Sequence, residues 1–142
     1  MPTLSSAINA SASGLDAQRT RMEVAISNLA NAESTRGPDG VYRRREVVLA
    51  SQQPFESSFD PSGNAVAGVK VSEVLQSQNF AHRYEPSHPD ADPVTGYVTV
   101  PDVDVPEEMV DMVSAARAYQ ANLTAIGLIR DLVQRALDLG RG

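Results

Sequence analysis

The side chains that chemistry would need lie mostly in one stretch of the chain. His82, Glu85, His88, Asp90 and Asp92 are the best candidates for metal ligands. Their spacing matches no helical H-x-x-x-H pair, and Asp90-Ala91-Asp92-Pro93 lacks the glycine and the terminal glutamate of a calcium loop. They read as solvated loop residues. Serine, histidine and aspartate are all present, but there is no G-x-S-x-G elbow and both histidines fall in the same proline-rich region, which argues against a hydrolase triad. Gly37, Gly40, Gly63 and Gly68 are too scattered to cradle a phosphate, and the lysine such a loop needs is absent from that context. They read as turn glycines. These patterns assign no catalytic residue, no cofactor and no metal ligand.

Arg43, Arg44 and Arg45 follow Tyr42, and basic residues beside an aromatic ring can clamp nucleic acid. Twelve Lys and Arg against eighteen Asp and Glu give a formal charge of −6, which disfavours phosphate backbone as a main partner. The preferred readings of the run are ion pairing to another protein or plain solvation, ahead of an envelope polymer or a membrane surface. In an extended segment three consecutive arginines cannot share one face. The stretch 85–108 carries seven acidic residues and no Lys or Arg, so the chain's basic cluster and its longest acidic stretch have opposite sign.

Two helices must carry these segments. Over 4–31, Ile8, Leu15, Met22 and Leu29 recur at strict sevens, with alanine and serine between them, which predicts a slim helix with a heptad seam. Gly14 weakens it by roughly 1 kcal/mol relative to alanine. The run Arg36-Gly37-Pro38-Asp39-Gly40 stops it. Over 41–100 the texture changes to short β-branched runs at 41–49, 66–75 and 96–100, broken by Pro54, Pro61, Gly63, Asn64, Pro86, Pro89 and Pro93, which predicts an extended, β-containing excursion rather than a closed sheet.

The second helix starts near Asp104-Val105-Pro106-Glu107, where Asp104 and Glu107 fit a capping box and Pro106 leaves Val105 as the alternative cap. Met112, Tyr119, Ile126 and Val133 repeat at sevens, and Met109, Ala116, Leu123 and Leu137 share the adjoining row, interrupted by Arg130. Beyond Ile126 the apolar arc widens to Leu128, Ile129, Leu132, Ala136 and Leu139, more than a two-helix seam requires. Gly140 is placed to end the helix. A self-contained antiparallel hairpin is the simplest reading of two terminal heptads; the wide arc argues instead for assembly.

The fold class expected is mainly α: long N- and C-terminal helices (1–35 and 104–142) paired as a coiled coil, with an irregular extended or β-rich segment (36–103) between them. At 142 residues the chain suffices for one domain, and 5% aromatics with no Trp implies a thin core. The absence of Cys removes disulfides, thiol chemistry and Cys-based zinc sites. No run approaches the roughly 18–20 apolar residues of a membrane span. The first basic residue is Arg19, which does not suit a secretory signal. The chain is therefore expected either to stay inside or to use another exporter.

Both ends resemble the axial proteins of the bacterial flagellar rod and hook. The resemblance rests on Ser13-Gly14-Leu15, Ala17-Gln18-Arg19, Arg21-Met22, the Asn28-Leu29-Ala30-Asn31 box and Ser34-Thr35-Arg36. Gly37-Pro38-Asp39-Gly40 with the Tyr42 to Arg45 run, His88-Pro89-Asp90-Ala91-Asp92 with Gly96-Tyr97-Val98, Val103-Asp104-Val105, Glu107 through Met112, and Ala118-Tyr119-Gln120-Ala121-Asn122 are similar to proximal-rod subunits in particular. Asp102, Pro106, Gly127 and Arg130 depart from the family pattern.

The resemblance implies a structural, non-enzymatic subunit without cofactor that polymerises through its terminal helices into a shaft passing torque from motor to hook. It implies self-association, other proximal-rod subunits, the rod–export-gate junction protein, the distal-rod protein and the flagellar export apparatus as partners. It also implies export without a cleaved signal and a place in the rod crossing the periplasm. The competing readings are a soluble two-helix adaptor with no flagellar role and a metal enzyme built on the 82–92 cluster.

Overall fold

The computed structural model describes residues 4–52 and 67–140. The order is helix α1 (Leu4–Ala30), strands β1 (Arg45–Gln52), β2 (Gly68–Gln76), β3 (Phe80–Tyr84) and β4 (Tyr97–Pro101), and helix α2 (Val105–Leu139). Two terminal helices thus flank a small set of strands. The expected breakers Pro54, Pro61, Gly63 and Asn64, and Val66 at the start of one expected strand, lie outside the described residues.

α1 stops at Ala30, before the glycine–proline run. Asn31 closes it: its backbone N–H and its side-chain Nδ2 both donate to the Ser27 carbonyl, at 3.1 and 2.9 Å, and Ser34 Oγ donates to Asn31 Oδ1 at 3.2 Å. A side chain competing for the last helical carbonyl ends the helix here. At the other helix, Asp104 is the cap, its Oδ1 accepting the Glu107 N–H at 3.3 Å. Pro106 then falls in the first turn, where a missing N–H costs nothing. Gly140 N–H closes the last turn on the Ala136 carbonyl at 3.2 Å.

β1 pairs with β2 and β3 with β4. Arg44 accepts from Ser77 N–H at 2.8 Å at one end of the first pair, and Gln52 lies against Gly68 at the other, so β1 and β2 run antiparallel. β3 and β4 are antiparallel in the register Phe80↔Pro101 to Tyr84↔Tyr97. The segment 80–84 was not expected as a strand. Five residues without β-branched side chains give a weak local signal, and β4, with Val98 and Val100 buried, supplies the pairing. The turn joining them is closed by Gly96 at φ +73°, where a Cβ would also sit 2.8 Å from the Tyr84 ring.

The chain divides into two compact units. One is drawn from the described parts of Met1–Thr20, Leu49–Ser72 and Ser114–Gly142. Here Ser13 Oγ donates to the Ala10 carbonyl at 2.7 Å and accepts the Val69 N–H at 3.0 Å, tying α1 to the start of β2. A Cβ on Gly14 would lie 2.7 Å from Asn122 Nδ2, so the glycine that weakens α1 locally is what lets α2 come close. The other unit comprises Arg21–Val48 and Glu73–Val113. Among the described residues the buried apolar side chains are small, Ala17, Ala25, Val98, Val100 and Ala115, which agrees with a thin core.

Candidate assembly interface

The most constrained point of the second unit is polar. Asn28, on the last turn of α1, is buried, and all four hydrogen bonds of its side-chain amide are made inside the chain. Nδ2 donates to the Arg45 carbonyl at 2.8 Å and to Glu108 Oε2 at 3.0 Å; Oδ1 accepts the Arg45 N–H and the Tyr42 hydroxyl, each at 2.9 Å. Glu108 is buried as well and takes Arg44 Nε at 2.7 Å on its other oxygen. Arg44 Nη2 reaches Glu107 at 3.5 Å, and the hydrogen bond to Glu108 raises the Arg44 pKa above its ordinary value despite partial burial. Seven residues earlier on α1, Arg21 pairs with Asp111 of α2. One amide therefore joins α1, the start of β1 and the start of α2. No buried side-chain nitrogen or oxygen among the described residues lacks a partner.

The sequence places Asn28 in a motif without giving it a job, and places Glu108 in the acidic stretch that runs into the second helix. The signal was a seven-spaced row of small and polar residues, Gly14, Arg21 and Asn28, beside the Ile8 row, with Glu108, Ala115 and Asn122 as its counterpart in α2. These rows, one residue from the expected seams, hold the pairs Asn28–Glu108 and Gly14–Asn122, while Arg21 reaches Asp111 outside the second row.

The three arginines have different fates. Arg44 is paired within its own chain. Arg43 donates to Gln78 Oε1 at 2.7 Å and lies over the Phe80 ring at 5.0 Å. Arg45 is exposed, lies over the Tyr42 ring at 5.7 Å, and makes no ion pair among the described residues. In the 82–92 stretch, Asp90 takes Thr35 Oγ1 at 2.7 Å and pairs with Arg36; the Thr35 bond, ahead of Arg36, holds its carboxyl below the usual range. Asp92 accepts the Val94 N–H at 2.8 Å, which lowers its pKa too. His88 Nδ1 accepts the Asp90 N–H at 3.1 Å, and His82 Nδ1 lies 3.4 Å from Thr99 Oγ1. No group of three or more His, Asp or Glu among the described residues is arranged to hold a metal ion.

Of the expected seam, Ile8, Leu15, Met22 and Leu29 on α1 and Met112, Tyr119, Ile126 and Val133 on α2 are half-buried. Met109, Ala116, Leu123 and Leu137 are exposed. So are Leu128 (60%), Leu132 (61%), Ala136 and Leu139 (84%) of the widened arc, in which Ile129 is half-buried. No helix among the described residues is long and apolar enough to cross a membrane.

Two family models match the ends that carry these faces: "Flagella basal body rod protein" over residues 8–38 and "Flagellar basal body rod FlgEFG protein C-terminal" over 94–139. The flagellar basal-body rod protein FlgC of Bacillus subtilis is 43% identical, with 94% of this chain and 96% of the relative aligned. The chain belongs to the FlgC family. The FlgC of Salmonella typhimurium is 45% identical over 91% of this chain and 92% of its own, and that of Aquifex aeolicus 37% over 97% and 98%. FlgC relatives are rod proteins by name, a structural family rather than an enzyme family, and none supports the soluble adaptor. Within this FlgC-family chain, Asn28 stands in the first matched segment and Glu108 in the second, so the buried amide joins the two.

Proposed function

We propose that this chain, a structural subunit of the flagellar basal-body rod, assembles by burying the exposed apolar faces of its two terminal helices against neighbouring subunits. The observation that carries the reading is the exposure of Leu128, Leu132, Leu137 and Leu139 on α2, continued toward its start by Met109, Val110, Val113 and Leu123. A monomer rarely leaves so long a run of large apolar side chains in water. At about 25 cal/mol per Å² of apolar area, a few hundred Å² covered per subunit contributes several kcal/mol before ordering costs.

In this reading the half-buried rows at 8, 15, 22, 29 and at 112, 119, 126, 133 form a coiled-coil seam, and the exposed row at 109, 116, 123, 137 meets other subunits. Many such contacts in parallel resist twist, which is what a shaft passing torque from motor to hook requires. The partners are further copies of this chain, other proximal-rod proteins, the junction protein at the export gate and the distal-rod protein. The route is the flagellar export apparatus, without a cleaved signal, to the rod across the periplasm.

The test is Leu128→Asp with Leu132→Asp in cells lacking the parental gene. Both side chains are exposed, so monomer helix content should hold while complete rods and swimming are lost. Purified basal bodies with complete rods containing the variant would overturn the reading.

A further inference from the structure

The turn after α1 opens a cleft of about 360 Å³ lined by Arg36, Arg43 and Arg45 together with Pro38, Val41 and Tyr42. Its cations are held but incompletely neutralised. Arg36 faces Asp90, Arg43 has the neutral Gln78 and the Phe80 ring, and Arg45 has only the Tyr42 ring among the described residues. Asp39 also lines the cleft, so three arginines stand against the carboxylates of Asp39 and Asp90, and in a chain of net charge −6 a small local excess of positive charge remains beside apolar surface. Its complement is a segment that presents carboxylates next to modest apolar side chains.

The start of α2 has that composition. Asp102, Asp104 and Glu107 are exposed, and beside them Val105, Met109 and Val110 are exposed at 41%, 52% and 70%. The arginine stretch already meets the start of α2 inside the chain, through Arg44 with Glu107 and Glu108. We propose that the arginine cleft receives the 102–110 face of a second copy of this chain. The two surfaces differ, so the contact is heterologous, and repeating it builds an open helical polymer rather than a closed pair. The proposal rests on the rod-subunit reading and names the surfaces that consecutive copies use.

The chain has no cysteine, so single cysteines report the contact directly. Asp39→Cys removes the carboxylate at position 39, which lines the cleft, and keeps its three arginines; Val105→Cys marks the acidic face. Full-length D39C and V105C chains are mixed under mild oxidation at low and high salt. The expected result is a mixed disulfide about tenfold over either homodimer at low salt, falling as salt screens the charges. Arg45→Glu on the D39C chain should abolish the preference, and Asp102→Arg on the V105C chain, which leaves the Asp104 cap in place, should restore it, which separates charge recognition from misfolding. A statistical mixture of dimers, or homodimers in excess, overturns the inference. Sedimentation of the parental chain runs in parallel. Self-association without the mixed disulfide overturns the cleft contact alone, and no self-association at any concentration overturns any contact between copies of this chain, whereas the rod-subunit reading falls only with the basal-body test above.

Discussion

Asn28→Ala should destabilise the chain more than any truncation of a buried apolar residue, because those residues are small and Asn28 closes four hydrogen bonds. The substitution removes the partner of the Arg45 N–H, the Arg45 carbonyl and Glu108 Oε2; Glu108 keeps Arg44, and the Tyr42 hydroxyl keeps Ser27 Oγ at 3.0 Å. Three groups are left unpaired, each costing about 1–3 kcal/mol, with water entering the vacated space to recover part, so a loss of roughly 3–5 kcal/mol is expected. Against a typical total of about 5–15 kcal/mol this is severe. Asn28→Asp has nearly the same shape and keeps the acceptor that Tyr42 and Arg45 use, but it turns an acceptor toward Glu108 Oε2, where the donor stood at 3.0 Å.

Two carboxylates then face each other, and the pKa of the pair is pushed up in the folded state. The folded variant binds the extra proton, so its stability, relative to the parent, should fall as pH rises through the raised value and recover as pH is lowered toward the ordinary carboxyl range near ~4. Urea unfolding of the full chain, followed by circular dichroism between pH 5 and 7.5, measures both effects. A loss below about 1 kcal/mol for Asn28→Ala, or a pH-independent difference for Asn28→Asp, refutes the hub.

Two further outcomes are expected. Gly14→Ala alone should gain little or lose stability, since the added Cβ meets Asn122 Nδ2 at 2.7 Å, whereas Gly14→Ala with Asn122→Ala should release the helix-propensity gain of about 1 kcal/mol; equal effects in the two backgrounds, read from thermal melts, would show that the contact is not felt. Asp90 has a lowered folded pKa, chiefly through the Thr35 hydroxyl, so its contribution is present above the unfolded pKa and lost as pH falls through the folded one. Thr35→Val should shrink that acid-side loss, as seen by the nuclear magnetic resonance titration of the Asp90 carboxyl.

The short-range pattern of the chain determined a good deal. Apolar repeats at sevens, the Asp104 cap and Gly140 marked the two helices, and the motif residues from Ser13 to Arg36 and from Gly37 to Asn122 pointed to the flagellar axial proteins. All of these are properties of residues a few positions apart, which is the range over which helix period, capping and turn chemistry act. Strand β3 was not legible, because its stability lies in β4, thirteen residues beyond the end of β3 at its nearest pair Tyr84↔Tyr97. The choice of row was not legible either. Heptad arithmetic makes the Ile8 row and the Gly14 row neighbours on one face, and only the partner helix decides which polar and small residues of the second row meet Glu108 and Asn122. Asn28, Arg44 and Glu108 meet across 64 and 80 positions. An amide that looks like a surface residue in the sequence becomes the joint of three elements because burial leaves its donors and acceptors no water to turn to, and that burial exists only once the chain has folded.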